Sequence, residues 1–205
     1  MNTPNQTPHY IWHVISRGND GRQVFHDDDD YRRYLGLLDM YLLEYECDLH
    51  HYAAIPNHAH KLIGAADIKN ISGLMQKLNR LYSVNYKEKY GGNGHLWRNR
   101  FKRYLITNDS YLQTCSVYIE LNPVRAGLAK RPEDYAWSSC RAYLFDEPDR
   151  LIKHDPNFLG MGDDHMTRAT AYKDLLEMWA RYPVTKNDAK RFFRYEAKSL
   201  YPQRK

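Results

Sequence analysis

The chain has 205 residues, with 30 Lys+Arg against 25 Asp+Glu and a formal net charge of +5. Its 42% hydrophobic and 14% aromatic content excludes an intrinsically disordered polymer. No apolar run approaches the ~20 residues of a membrane span, and the start MNTPNQTPHY lacks the basic and apolar stretches of a signal peptide, which implies a cytoplasmic protein. In chain order, Tyr10–Ser16 (YIWHVIS) is a β-branched and aromatic run that predicts a strand, stopped by the loop signal Arg17-Gly18-Asn19-Asp20-Gly21. Asp27 to Asp30 form an acidic helix start, and Tyr31, Leu35, Leu38, Leu42 and Tyr45 follow at amphipathic spacing. Leu49–Ile55 predicts a second strand, ended by Pro56-Asn57, and His58–Gly64 a third paired to it. Ile71 to about Tyr90 reads as a helix, and Leu96–Ile106 as a fourth strand in which Arg98, Arg100 and Lys102 share one face. Asn108 or Asp109 caps a third helix that runs to about Leu121, before Pro123. Beyond Pro132 the pattern weakens: a short helix over Trp137–Leu144, a loop over Asp146–Gly162, a helix over Thr167–Arg181, and a basic, aromatic tail, Lys186–Lys205.

Strand, helix, strand, strand, helix, strand, helix predicts an α+β, ferredoxin-like sandwich with a mostly antiparallel sheet and helices packed on it. We divide it into a core, residues 1–145, and a helical and basic C-terminal extension, residues 146–205. The three cysteines, Cys47, Cys115 and Cys140, have neither disulfide nor metal-ligand spacing and read as reduced thiols.

Charge is unevenly spread. Residues 27–48 hold eight acids against Arg32 and Arg33, a net −6, whereas residues 69–105 hold nine cations against Glu88, a net +8. The tail from Ala180 adds a net +6. Cations interleaved with aromatics suit a phosphate backbone and unpaired bases; a merely solvated basic face is the alternative.

Two small constellations carry chemistry. On a strand, His58 and His60 of Pro56-Asn57-His58-Ala59-His60 point to one face, a natural pair of ligands for a divalent ion. The pattern alone is common, and two ordinary surface histidines would also produce it. On a helix, Tyr118 and Asn122 of Tyr118-Ile119-Glu120-Leu121-Asn122-Pro123 lie at i and i+4 and project together. A tyrosine packed on the sheet and an asparagine closing the helix would give the same pattern. His13, mid-strand, reads as structural; one of His50 and His51 faces the core side, where it could support a ligand from behind; and Tyr104 and Tyr111 read as packing or stacking groups.

Five segments in order then resemble a family: Ser16-Arg17-Gly18-Asn19; Val24-Phe25 with Asp30-Tyr31-Arg32-Arg33; Pro56-Asn57-His58-Ala59-His60; Gly94-His95-Leu96-Trp97 with Arg100-Phe101; and Tyr118 to Gly127, YIELNPVRAG. The set is similar to the REP-associated tyrosine transposases, single-tyrosine members of the HUH (His, hydrophobic, His) group. The resemblance spans roughly residues 10–145. It departs at Ala59, small for the central slot, and at Lys61, where an apolar residue is usual and which would point away from His60.

The resemblance implies that His58, His60 and Asn122 hold a divalent metal, Mg²⁺ or Mn²⁺, and that Tyr118 is the nucleophile. It implies cleavage and rejoining of single-stranded DNA at hairpin-associated repeats through a 5′-phosphotyrosine, by a monomer or a dimer. Arg17, Trp97, Arg98, Arg100, Lys102 and Arg103 are the expected DNA contacts, with the Lys186–Lys205 tail as a further clamp. An idle repeat-binding relative, an RNA-binding ferredoxin-like module and a hydrolase of small substrates are the alternatives.

Overall fold

A computed structural model describes residues 9–181. The expected tail, Lys186–Lys205, lies outside the described residues. Four strands, β1 (Tyr10–Arg17), β2 (Asp48–Ile55), β3 (His58–Ala65) and β4 (Lys102–Leu105), form one antiparallel sheet in the order β2-β3-β1-β4. Among them run α1 (Asp28–Glu44) and α2 (Ile68–Tyr90), followed by α3 (Asp109–Glu120) and the short α4 (Asn122–Arg125). The expected ferredoxin-like α+β plan is the observed one.

Local chemistry accounts for the helix starts. Asp27 accepts from Asp30 N–H, Asp67 from Lys69 N–H, and Asn108 from Tyr111 N–H, so each first turn has a side-chain cap beside the helix's positive end. Lys87 and Lys89 lie in the last turn of α2, where cations suit the dipole.

The two sheet faces are covered differently. Trp12, Val14, Leu49, Tyr52, Ala54, Ala59 and Ile63 pack against Tyr34, Leu38, Leu74 and Leu78 of α1 and α2. Ala53 and Leu62 pack on the other face against Tyr111, Leu112, Cys115 and Ile119 of α3. Burying each such large side chain contributes about 1.5–3 kcal/mol. Lys61 faces away from His60, as its position predicts, and is buried beneath α1, with Nζ 2.8 Å from Tyr34 Oη and 5.3 Å from the centre of the Tyr34 ring.

Three expectations need correction. The fourth strand is only Lys102–Leu105, because Trp97 turns into the core and its Nε1 donates to Asn79 O at 3.0 Å. Before that strand the backbone pairing is a single bridge between Gly18 and Trp97, so Arg98, Arg100 and Lys102 do not share a strand face. The short helix near Trp137 is α5, Cys140–Leu144, and the expected loop contains one helical turn, α6, Pro156–Leu159, nucleated by the Asp155 carboxylate.

The last helix is α7, His165–Ala180, capped by Asp164. Tyr143, Leu144, Phe158, Tyr172 and Leu176 from α5, α6 and α7 pack on Val117 and Leu121 beside α3. The C-terminal elements therefore cover the flank of the helix that carries Tyr118. All three cysteines are free and buried.

Candidate active site

β3 presents His58 and His60 on the face covered by α3. Their rings meet edge to face, with centroids 4.8 Å apart. Tyr118, half-buried on α3, approaches His60 edge to face at 5.5 Å. Asn122 follows one turn later, buried at the start of α4, close enough to perturb the titration of both the His58 ring and the Tyr118 hydroxyl. Spacing predicts each pair separately; the fold brings the two pairs together.

The site's electrostatics favour neutral imidazoles. Burial, aided by the charge of Arg17, lowers the His58 pKa from 6.5 to about 4. Burial and the neighbouring His58 and His13 drive His60 well below 6.5. A neutral imidazole is the form that ligates a metal. Burial raises the Tyr118 pKa above 10, while Arg125, Arg17 and Asn122 pull it down. The Arg125 guanidinium lies 5.3 Å from the centre of the Tyr118 ring, a cation–π contact.

No cluster of three His, Cys, Asp or Glu side chains among the described residues is arranged to hold a metal ion. The donor set here is two imidazoles and an amide, which fits a divalent cation taking nitrogen and oxygen ligands and leaves its charge unreduced.

The loop after β1 is stitched to the site. Gly18 N–H donates to Asn57 O, Asn19 N–H to Leu96 O, and Arg98 N–H to Arg17 O, each at 2.8 Å. A Cβ on Gly18 would lie 2.3 Å from Arg22 O and 2.9 Å from Val24 Cγ1, so this close approach needs glycine. The result holds Arg17 and Arg98 side by side, both exposed, beside the β2–β3 turn.

The expected DNA contacts divide. Arg17, Arg98, Arg100 and Lys102 are exposed. Lys102 is paired with Ile15, and alternation puts it on the sheet face of His60, which Ile15 also pairs. Arg103 faces the other way and its Nη1 donates to Ser72 Oγ of α2 at 3.2 Å. Trp97, 8% exposed, belongs to the core and offers no open face for base stacking.

Two residues outside the expected set meet the site, His13 and Arg125. His13 is fully buried, and its Nε2 lies 2.9 Å from His60 Nδ1. Only the β1–β3 register, which pairs His13 with Leu62 and Ile15 with His60, makes this legible. Arg125 was signalled by its place three residues after Asn122, on the same helical stripe.

Among solved structures, a REP-associated tyrosine transposase bound to a REP hairpin shares this fold, with a TM-score of 0.54 and 16% identity over 80% of this chain and 98% of that one. A Deinococcus radiodurans R1 protein described as a transposase aligns at a TM-score of 0.43, with 13% identity over 62% of this chain and 97% of that one. No curated protein sequence matches the chain. The family model for IS200-like transposases matches residues 6–122, a span that runs from the N-terminal segment through both histidines and Tyr118 to Asn122; the chain belongs to the IS200-like transposase family.

Proposed function

We propose that this protein is a metal-dependent endonuclease and strand transferase that cleaves and rejoins single-stranded DNA at repetitive extragenic palindrome hairpins through a 5′-phosphotyrosine. The observation that carries the reading is the meeting of Tyr118, Asn122, His58 and His60. Membership of the family, and a fold shared with a REP-associated transposase on its hairpin, support it.

In the reaction, Tyr118 Oη attacks the scissile phosphorus and loses its proton. The P–O3′ bond breaks, the 5′-phosphate stays on the tyrosine, and the 3′ oxygen leaves as a hydroxyl after taking up a proton. Attack of a 3′-hydroxyl on the phosphotyrosine reverses the step, so rejoining consumes no nucleotide cofactor. The Arg125 guanidinium over the Tyr118 ring favours negative charge developing on the phenol oxygen. His58, His60 and Asn122 would hold Mg²⁺ or Mn²⁺, which would supply charge neutralisation at the scissile phosphate. Arg17, Arg98, Arg100 and Lys102 contact the strand's phosphates. Residues 1–145 carry the chemistry, and α6 and α7, the described helices of the extension 146–205, buttress α3.

The test is a labelled hairpin oligonucleotide incubated with the protein and Mn²⁺. A covalent protein–DNA adduct is expected from the wild type, none from Tyr118→Phe, and less from His58→Ala. Undiminished adduct from Tyr118→Phe overturns the assignment.

A further inference from the structure

Both imidazoles of the site are held from behind at the same ring nitrogen. His58 Nδ1 lies 2.6 Å from Asn57 Oδ1, and His60 Nδ1 lies 2.9 Å from His13 Nε2. The two supports come from unrelated places, one from the β2–β3 turn and one from the neighbouring strand β1. The His13 and His60 rings are also nearly coplanar, with centroids 5.1 Å apart and an interplanar angle of 22°.

At His58 the contacts dictate where the proton sits. Asn57 Nδ2 donates to Gly21 O at 3.4 Å, which turns the amide oxygen toward His58. An amide oxygen only accepts, so His58 must carry its proton on Nδ1. A neutral imidazole protonated at Nδ1 keeps its lone pair at Nε2. At His60 the contact with His13 Nε2 admits either direction; the tautomer that keeps the Nε2 lone pair of His60 for a cation is the one that donates Nδ1–H to His13 Nε2. The reverse tautomer would set the Nδ1 lone pair of His58 against the oxygen lone pairs of Asn57.

We infer that Asn57 and His13 are positioning residues that hold His58 and His60 as Nδ1–H tautomers, leaving Nε2 of each free to ligate one divalent cation. The cation half of this inference and the tautomer of His60 rest on the proposed metal-dependent function; the tautomer of His58 does not. Partners that orient ligand imidazoles in this way are typically worth about 10- to 100-fold in metal affinity.

The experiment uses the full-length, ¹⁵N-labelled protein. Long-range ¹H–¹⁵N correlation without metal is expected to show both His58 and His60 protonated at Nδ1. An Nε2–H pattern at either ring overturns the inference for that ring. Mn²⁺ affinity, read by electron paramagnetic resonance of the free ion, is then compared across variants. His13→Leu fills the space but accepts no hydrogen bond, and should weaken binding about 10- to 100-fold. His13→Gln restores an acceptor and should recover most of that loss. Asn57→Ala, at a turn, should lower affinity about 10-fold or more and release the His58 tautomer. His58→Ala losing Mn²⁺ while the folded Asn57 and both His13 variants bind as tightly as wild type overturns the positioning roles and leaves the metal reading standing. A wild type that shows both tautomers yet binds no Mn²⁺ overturns the cation half together with the metal reading beneath it.

Discussion

His51 Nδ1 lies 2.7 Å from Glu120 Oε1, and Nε2 of the same ring lies 3.0 Å from Asp155 Oδ2, with all three side chains sealed from solvent. The ring is stacked on Tyr143 at 4.2 Å. This one histidine ties β2 to α3 and to the residue that caps α6. Glu120 is two residues from Tyr118, so the network fixes the helix that carries the proposed nucleophile. Removing one partner of a buried ionic pair leaves the other uncompensated, at about 3–5 kcal/mol. His51→Leu should therefore lower the urea midpoint steeply and diminish adduct yield with it. A midpoint equal to wild type would show that the network does not hold α3.

The network also sets a pH dependence. Burial opposes a charge on His51, but the hydrogen bonds and charges of Asp155 and Glu120 outweigh it and lift the pKa from 6.5 to about 9. A pKa raised on folding contributes stability that is complete below pH 6.5 and is lost as the pH climbs through about 9. The loss across that window is on the order of 3 kcal/mol. Chemical denaturation at pH 6.5, 8 and 9.5 reads it. The Lys61→Met variant is the background of choice, because Lys61 titrates in the opposite sense. A flat profile in that variant would remove the charged state of His51.

Lys61 supplies a third expectation. Burial lowers its pKa from 10.5 to about 7. Its cost is therefore complete below pH 7 and relieved as the pH rises toward 10.5. Within the described residues no carboxylate forms an ion pair with it; it meets Tyr34 Oη and, at 3.5 Å, Ala59 O. Ser16 remains a polar neighbour of Tyr34 when the lysine is lost. Met matches the stem in volume, so Lys61→Met should stabilise the protein by about 1–3 kcal/mol at pH 6.5, with the gain shrinking above pH 8. Destabilisation at pH 6.5 in a urea titration would contradict this account.

Much of the fold is legible because local signals and tertiary packing agree. Asp27, Asn108 and the Pro56-Asn57 turn bound their elements where sequence places them. The fourth strand is not legible from its own residues, since the burial of Trp97 depends on Asn79 of a helix 18 residues earlier. The roles of His13, Lys102 and Arg103 depend on strand register, which alternation within one strand cannot supply. A register shift between Leu49 and His51 hides which of His50 and His51 turns toward Glu120. Within the site, the spacing of Tyr118 and Asn122 is readable, and so is that of His58 and His60. Their union is not readable from spacing, and only the ordered motifs of the family resemblance suggested it.

The basic face makes a fourth prediction. If Arg98, Arg100 and Lys102 contact phosphates, each neutralised contact releases counterions, and the logarithm of affinity falls linearly with the logarithm of salt. Substituting any one by Ala should weaken binding to hairpins of different sequence alike and reduce the salt slope by about 1. Arg103→Ala, on the opposite sheet face, should leave the slope unchanged. Fluorescence anisotropy of a labelled hairpin across a salt series reads both.

The strand order β2-β3-β1-β4 places His58, His60 and His13 on the two inner strands, each flanked by a neighbour on both sides. Amides there are freed only when the whole molecule opens, so they report the last structure to melt. Tyr118 rides instead on a helix held to that sheet by buried side chains and the His51 network rather than by backbone hydrogen bonds. The two halves of the site are thus anchored by different means: a backbone ladder fixes the histidines, and side-chain packing alone fixes the tyrosine.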